Sequence, residues 1–511
     1  MSAPRPDGAH PMELFARLAR HALERPDAIA AREVGLNSSA NTNYAQLAQQ
    51  VGGVAHALRQ RTKPGDVVIL ICGNRVEYFT ACLGIWAAGC VAFPMHPSVA
   101  KEVPAAAAGT NAKLILNGCP APCSGHAPTT GSSRCNELDL YTFLSTTTPA
   151  PIRANAGALA GLMLQSSGTT GLPKIVHRPA SAIDAVARNV ADATGLTPND
   201  RVFAAAPICH AYGIENGFLA PLWAGACVHL CDGLDLPVAL REFAADNPQG
   251  STVFPGVPFM FEVLAKTEGR PETALRLAYS AGGMLPPAVA EAFAHRFGRR
   301  VGQLYGASEL GSVTFNHPDH PAPDPLSVGQ PMHGVSIRIL DPDAINTCHR
   351  DVLISVESSA VASGQEGIVA IKAPSMMHTY VGEEPPFIDG HFLTGDLGRL
   401  DEHNNLTITG RLKQLIDIGG MKVNPAEVEA VLSAHPGVRE CAVVGVPVTP
   451  TVSRLKAVVV PVNGNLDEAD LRRFARERLP GHKVPRLFQT REALPRTPAG
   501  KVLRAQLESE A

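Results

Sequence analysis

Apolar residues recur at helical spacing over Tyr44–Gln60, and a short continuous apolar run follows at Asp66–Cys72. A run that short, apolar at nearly every position, predicts a strand buried on both faces of a parallel sheet. Helical spacing returns over Val76–Gly89, and a second strand is expected to end at Pro94. Strand, helix, strand in that order predicts an α/β layered architecture. Cys227, His229 and Cys231 alternate along the apolar stretch from Ala226 to Leu230, which also reads as a strand. Residues 117–155 are rich in Pro, Ser, Thr, Gly and Cys with little periodicity, so a surface excursion is expected there. A second loop-rich stretch is His317–Pro325.

Near Gly410 the pattern changes, and the last 100 or so residues have the size of a small domain. Within it Pro425–Ala434 is expected to be helical, Cys441–Val446 and Lys456–Pro461 to be strands, and Leu466–Arg478 to be an amphipathic helix. The expected organisation is therefore a large domain over 1–410, made of layered αβ subdomains plus a β-rich one, and a small α+β domain over 411–511.

Composition narrows the class. With 511 residues, 45% hydrophobic and 18% charged, the chain has enough apolar material for a large core and is not disordered. A net charge of -3 gives no general field for nucleic acid or an anionic membrane. The opening residues lack an apolar signal core, and the longest near-apolar stretch, Ala81 to Pro94, is too short to span a bilayer. A cytoplasmic protein without a membrane span is the expectation. Eleven cysteines, mostly inside apolar segments, read as reduced and buried. Cys119, Cys123, His126 and Cys135 do not have a standard zinc-ligand spacing, so no metal centre is expected from them.

The chemistry begins at residues 164–174, Leu-Gln-Ser-Ser-Gly-Thr-Thr-Gly-Leu-Pro-Lys. Gly168 and Gly171 let backbone N–H groups turn towards an anion. Ser166, Ser167, Thr169 and Thr170 add hydroxyl donors, and Lys174 adds a positive charge. The loop is suited to phosphates, but it is not a Walker loop, and no G-x-G-x-x-G occurs. Downstream come Tyr305-Gly306-Ala307-Ser308-Glu309, Thr394-Gly395-Asp396, Gly410-Arg411-Leu412-Lys413, Gly419-Gly420-Met421-Lys422 and Pro495-Arg496-Thr497-Pro498-Ala499-Gly500-Lys501. In this order and spacing the set resembles the adenylate-forming superfamily of acyl- and aryl-CoA ligases, luciferases and peptide-synthetase adenylation domains. The resemblance covers nearly the whole chain.

That resemblance implies a reaction with a clear physical need. A carboxylate is a poor acyl donor until attack on the α-phosphorus of ATP gives it AMP as a leaving group. Bringing two anions together costs Coulomb energy unless cations intervene, and the transferring phosphoryl group needs positioned charge. By resemblance the 166–174 loop holds the departing pyrophosphate, although Ile175 stands where most members have glycine. Glu309 is the implied Mg²⁺ ligand, Ser308 the α-phosphate hydroxyl, and Tyr305 a stacking face for adenine. Ser280-Ala281-Gly282-Gly283 makes room along the adenine and acyl pocket, with Gly306 and Ala307 also in the nucleotide site. Asp396 accepts from the ribose hydroxyls and Arg411 contacts ribose or phosphate. Lys501 bridges the carboxylate and the α-phosphate. Lys413 is the hinge about which a mobile small domain turns, opening Gly419-Gly420 as a path for the thiol.

Pro207-Ile208-Cys209-His210-Ala211-Tyr212-Gly213 resembles the segment whose histidine closes the carboxylate site in fatty and aryl acid ligases. His210, Tyr212 and Gly213 are thus acyl-pocket candidates. Glu215 and Asn216 are expected to face solvent or, alternatively, to give that pocket a polar wall. The implied activity is transfer of an acyl group from acyl-AMP to coenzyme A, using ATP and Mg²⁺. Transfer to the phosphopantetheine arm of an acyl carrier protein is the alternative, with β-lactone closure a third. A non-catalytic scaffold would be expected to lack Glu309, Asp396, Arg411 or Lys501, and all are present. The sequence leaves the oligomeric state, monomer or homodimer, open.

Overall fold

The computed structural model describes residues 11–35, 40–119, 135–153, 156–157, 159–166, 174–269, 272–346, 355–418, 421–449, 452–462, 464, 466–496 and 502–509. They form two compact units, Met1–Ser336 with Lys372–Phe387, and Ile337–Ile371 with Ile388–Ala511. The 410/411 position lies inside the second unit, because Leu406–Arg411 pairs antiparallel with His391–Leu400, which in turn pairs with Gly367–Lys372.

The first unit contains a seven-stranded sheet that includes Val67–Ile71, whose five residues are all buried. That strand pairs in parallel with Val91–Met95 and Leu114–Asn117. Helices Tyr44–Arg59 and Val76–Ala87 fall where the apolar spacing puts them, within two residues at their ends. The first starts at a capping box: the Gln46 N–H donates to Asn43 Oδ1 at 2.8 Å and the Asn43 N–H to Gln46 Oε1 at 3.1 Å. At one edge Gly161–Gln165 pairs antiparallel with Ile175–Pro179, and the two-residue strand Thr379–Tyr380 extends the sheet.

A second sheet runs in parallel through Cys227–Leu230, Arg201–Ala204, Val253–Gly256, Leu277–Ser280 and Val301–Ala307. It then reverses into Gly311–Asn316 and Ser327–Pro331. Phe203, Phe243, Phe254 and Phe261 pack together within one core cluster beside it. The carboxyl ends of Leu277–Ser280 and Val301–Ala307 lie side by side, the position at which open α/β sheets bind ligands.

The expected excursion over 117–155 needs correction. Within it Asn136–Asp139 forms an edge strand parallel to Leu114–Asn117, followed by a helix at Leu140–Ser145. The strand is polar because one side of it is unpaired, and Asn117 Nδ2 donates to Glu137 Oε1 at 2.7 Å. Cys119 and Cys135 pack against the apolar cluster around Ile69 and Phe93, while Cys123 and His126 lie outside the described residues.

In the second unit, Val438–Thr449, Val452–Pro461 and Leu487–Thr490 make a small sheet. Helices Pro425–Ser433 and Glu468–Arg476 bury Val428, Leu432, Leu471 and Ala475 in the core built on it. The expected strands Cys441–Val446 and Lys456–Pro461 are parts of longer ones. Among the described residues no helix is long and apolar enough to cross a membrane.

Candidate active site

Ser166 and Lys174, the first and last residues of the phosphate-suited stretch, follow and precede the antiparallel strands Gly161–Gln165 and Ile175–Pro179, and the Ser166 N–H donates to the Lys174 carbonyl at 2.8 Å. Ser166 is buried at this junction. Ser167, Gly168, Thr169, Thr170 and Gly171 lie outside the described residues. Lys174 is described: its ammonium is paired with the Glu383 carboxylate and sits 4.9 Å from the centre of the Tyr380 ring.

Tyr305, Gly306 and Ala307 end the strand Val301–Ala307, and Ser308 and Glu309 turn it into Gly311–Asn316. The hairpin is tight enough to require glycine at 306, where a Cβ would stand 2.3 Å from the Gly311 carbonyl oxygen. The turn delivers Glu309 to Tyr380, whose hydroxyl donates to Oε1 at 3.0 Å. Burial and the neighbouring Glu309 carboxylate push the Tyr380 phenol well up, so it remains a protonated donor. Lys174 and Glu309, 135 residues apart in sequence, thus meet the same tyrosine. No sequence signal marked Tyr380 or Glu383.

The acyl-pocket segment departs from expectation at Glu215 and Asn216. Both are buried, so the solvent-facing expectation is wrong. Glu215 Oε1 accepts from Arg178 Nη1 at 2.6 Å, and Oε2 accepts from the Ser312 N–H and hydroxyl at 2.8 and 2.7 Å. The remaining donors of Arg178 reach the carbonyls of Ala307 and Ser308 at 2.7–3.1 Å. A fully buried ion pair therefore ties the strand after Lys174 to the Tyr305–Glu309 turn. Its sole trace in the sequence is one basic residue inside a short β-like run. Asn216 donates to the Tyr212 carbonyl at 3.0 Å and accepts from the Tyr279 hydroxyl at 3.1 Å.

Tyr212, Gly213 and Asn216, with Ala204 and Ala206, line a crevice too narrow to admit a water molecule. Gly213 is required where it stands, since a Cβ there would lie 2.1 Å from the Pro207 carbonyl oxygen. His210 is exposed at the head of this segment, its carbonyl accepting from the Ile214 N–H at 2.9 Å. Burial raises the Cys209 thiol to about 12, which leaves it inert beside the pocket. Gly282, at φ +84°, and Gly283 follow the strand Leu277–Ser280.

Asp396 and Arg411 belong to the second unit, where they are direct partners on adjacent antiparallel strands. Arg411 Nε stands 2.7 Å from Asp396 Oδ1; the carboxylate is almost buried and the guanidinium half exposed. Lys413 lies in the short turn Leu412–Gln414. Gly419, Gly420 and Lys501 lie outside the described residues.

The donor set in the first unit suits a magnesium nucleotide. Glu309 presents a hard oxygen ligand whose Oε2 makes no hydrogen bond among the described residues, and Lys174 supplies a cation beside it. Phosphate-suited loop, carboxylate turn and parallel strand ends together define a nucleotide-activating α/β ligase. The chain belongs to the AMP-binding enzyme family: that family's model matches residues 18–381, and the model of the AMP-binding enzyme C-terminal domain matches residues 427–501. Its class is that of the AMP-dependent acid–thiol ligases.

It is similar over 515 aligned residues to feruloyl-CoA synthase from Amycolatopsis sp, with 28% identity, covering 96% of this chain and 97% of that protein. Sulfoacetate–CoA ligase from Cupriavidus necator is 32% identical over 359 residues, 68% of this chain and 67% of that protein. Among solved structures, ATP-bound MatB from Rhodopseudomonas palustris superposes with a TM-score of 0.84 at 27% identity, covering 98% of this chain and 99% of that one.

Proposed function

We propose that this chain converts a carboxylic acid and ATP to an acyl-AMP with release of pyrophosphate, then passes the acyl group to coenzyme A. The observation that carries the residue assignments is the meeting of Lys174 and Glu309 on Tyr380. It brings a cation and a carboxylate from distant segments to one side chain, the ammonium on its ring and the carboxylate on its hydroxyl. In this reading the loop through Ser166, Ser167, Gly168, Thr169, Thr170 and Gly171 cradles the pyrophosphate end of ATP, with Lys174 offsetting its charge. Glu309 would hold Mg²⁺, which supplies charge neutralisation on the phosphates when bound. Tyr305 and the Gly282–Gly283 stretch flank adenine, and the Ser308 hydroxyl faces the α-phosphate.

Asp396 accepts from the ribose hydroxyls. Arg411, already held against it, completes that contact with its remaining donors. Lys501 stands between the acid's carboxylate and the α-phosphate during adenylation, where its ammonium lowers the repulsion of the two anions. We assign the functional division to 410/411, with Lys413 as hinge and Gly419–Gly420 lining the thiol path. His210 closes the carboxylate end of the acyl pocket, and Tyr212, Gly213 and Asn216 form its wall. Glu215 is assigned to the frame behind that wall, because both its oxygens are committed to Arg178 and Ser312. The setting proposed is the cytoplasm, where ATP and coenzyme A are both supplied.

The test is a panel of short aliphatic, dicarboxylic and single-ring aromatic acids, read by pyrophosphate release with and without coenzyme A. Acid-dependent release that accelerates with coenzyme A supports the reading. Pyrophosphate release that ignores the acid, or turnover of ATP to ADP and orthophosphate, contradicts it.

A further inference from the structure

We propose that Tyr380 is a positioning residue for nucleotide binding: its hydroxyl aims the Glu309 carboxylate and its ring seats the Lys174 ammonium. The inference rests on the roles given above to Lys174 and Glu309, and adds a residue to which neither a motif nor its own chemistry assigned a part.

The backbone around Tyr380 is fastened to both partners. Tyr380 and Thr379 pair antiparallel with Val176 and His177 on the strand that leaves Lys174. On either side, the His378 N–H donates to the His177 carbonyl at 2.9 Å and the Val381 N–H to the Ile175 carbonyl at 2.8 Å. Upstream, the Met377 N–H donates to the Glu309 carbonyl at 2.7 Å, and the Ser375 hydroxyl to the Leu310 carbonyl at 2.7 Å. The tyrosine is therefore held by main-chain bonds to the two segments its side chain joins. The residue is 6% exposed, so its side chain has little freedom to swing away.

The side-chain geometry divides the work. Donation to Oε1 fixes the rotation of the Glu309 carboxylate and, among the described residues, leaves Oε2 without a hydrogen bond. A carboxylate fixed in advance loses less freedom when it takes a cation. The ring face stands 4.9 Å from Lys174 Nζ, a distance at which the aromatic quadrupole attracts the ammonium. Glu383, more than half exposed, holds the outer side of the same ammonium. An incoming phosphate competes with Glu383 in water at little cost, while the ring keeps Lys174 in place.

The experiment measures ATP binding to the full chain by calorimetry, in excess MgCl₂ and again in EDTA, for the unmodified protein and for Y380F, Y380L and E309A. Y380F is expected to bind metal-free ATP within about twofold of the parent and to lose about five- to tenfold of the Mg²⁺-dependent gain, the effect of losing one ordinary hydrogen bond. Y380L is expected to weaken metal-free binding as well, by about two- to fivefold, from loss of the ring. E309A should lose most of the Mg²⁺ gain. A full or increased Mg²⁺ gain in Y380F overturns the inference while E309A upholds the metal role of Glu309. An intact gain in E309A overturns that role and the inference with it. If Y380F loses metal-bound and metal-free affinity alike and its melting temperature falls, the hydroxyl is a structural bond only and the inference fails.

Discussion

Glu215→Gln removes a single charge from a site where the Arg178 and Glu215 side chains are 0% and 2% exposed. Arg178 keeps its bonds to the Ala307 and Ser308 carbonyls but loses its only anionic acceptor among the described residues. Removing one partner of a buried pair costs about 3–5 kcal/mol, because the remaining charge is neither solvated nor matched. Arg178→Met should cost somewhat less, since the stranded Glu215 carboxylate still accepts two bonds from Ser312. With an unfolding entropy of about 2.1 cal/mol/K per residue and a unit of about 350 residues, 3–5 kcal/mol lowers the melting temperature by about 4–7 °C. The double variant Arg178→Met/Glu215→Gln should be more stable than the sum of the singles implies, by about 2 kcal/mol, because neither charge is left alone. Thermal unfolding of all four proteins by circular dichroism, with reversibility checked, closes the cycle. Singles that cost under about 1 kcal/mol, or a strictly additive double, would refute the argument.

Other variants probe different parts of the site. Lys501→Ala should abolish acid-dependent pyrophosphate release yet spare thioester formation from supplied acyl-AMP; equal damage to both steps would refute its assignment. Gly213→Ala, whose Cβ would stand 2.1 Å from the Pro207 carbonyl oxygen, should lower the melting temperature and the acid-dependent rate together. A variant indistinguishable from the parent would show that the pocket segment yields freely. Asp184, which accepts the Glu13 and Leu14 N–H groups at 2.7 and 3.1 Å, has its carboxyl raised to about 6, chiefly by burial. The folded state then holds the proton more tightly than an unfolded chain, whose carboxyl titrates near 4. Its stability contribution is full below about pH 4 and is lost as pH climbs through 6, by at most about 3 kcal/mol. Asp184→Asn should flatten the stability profile over that window, and an unchanged slope between pH 4 and 6 would contradict the assignment.

The strands and helices that bury apolar faces were readable from the sequence. Val67–Ile71, Tyr44–Arg59 and Val76–Ala87 lie almost where periodicity puts them, because hydrophobic burial decides their register. The edge strand Asn136–Asp139 was not readable, since a polar strand paired on one side has no apolar alternation. Glu215 illustrates the same limit for charge. In isolation a glutamate reads as solvated, and only the fold brings Arg178, 37 residues earlier, against it. Asp396 and Arg411 were assigned by motif, and their direct pairing follows from a strand register that their fifteen-residue spacing does not disclose. Tyr380 belongs with the first unit although the chain on both sides of Lys372–Phe387 belongs to the second, a return that local pattern cannot encode.

The most direct measurement of the central claim is product analysis by mass spectrometry after incubation with ATP, Mg²⁺ and an acid from the panel, with coenzyme A or a holo-carrier protein as acceptor. AMP and acyl-CoA are expected in equal amounts, with acyl-AMP accumulating when coenzyme A is omitted. ADP as product, AMP formed without any acid, or an acyl group found solely on the carrier would contradict it.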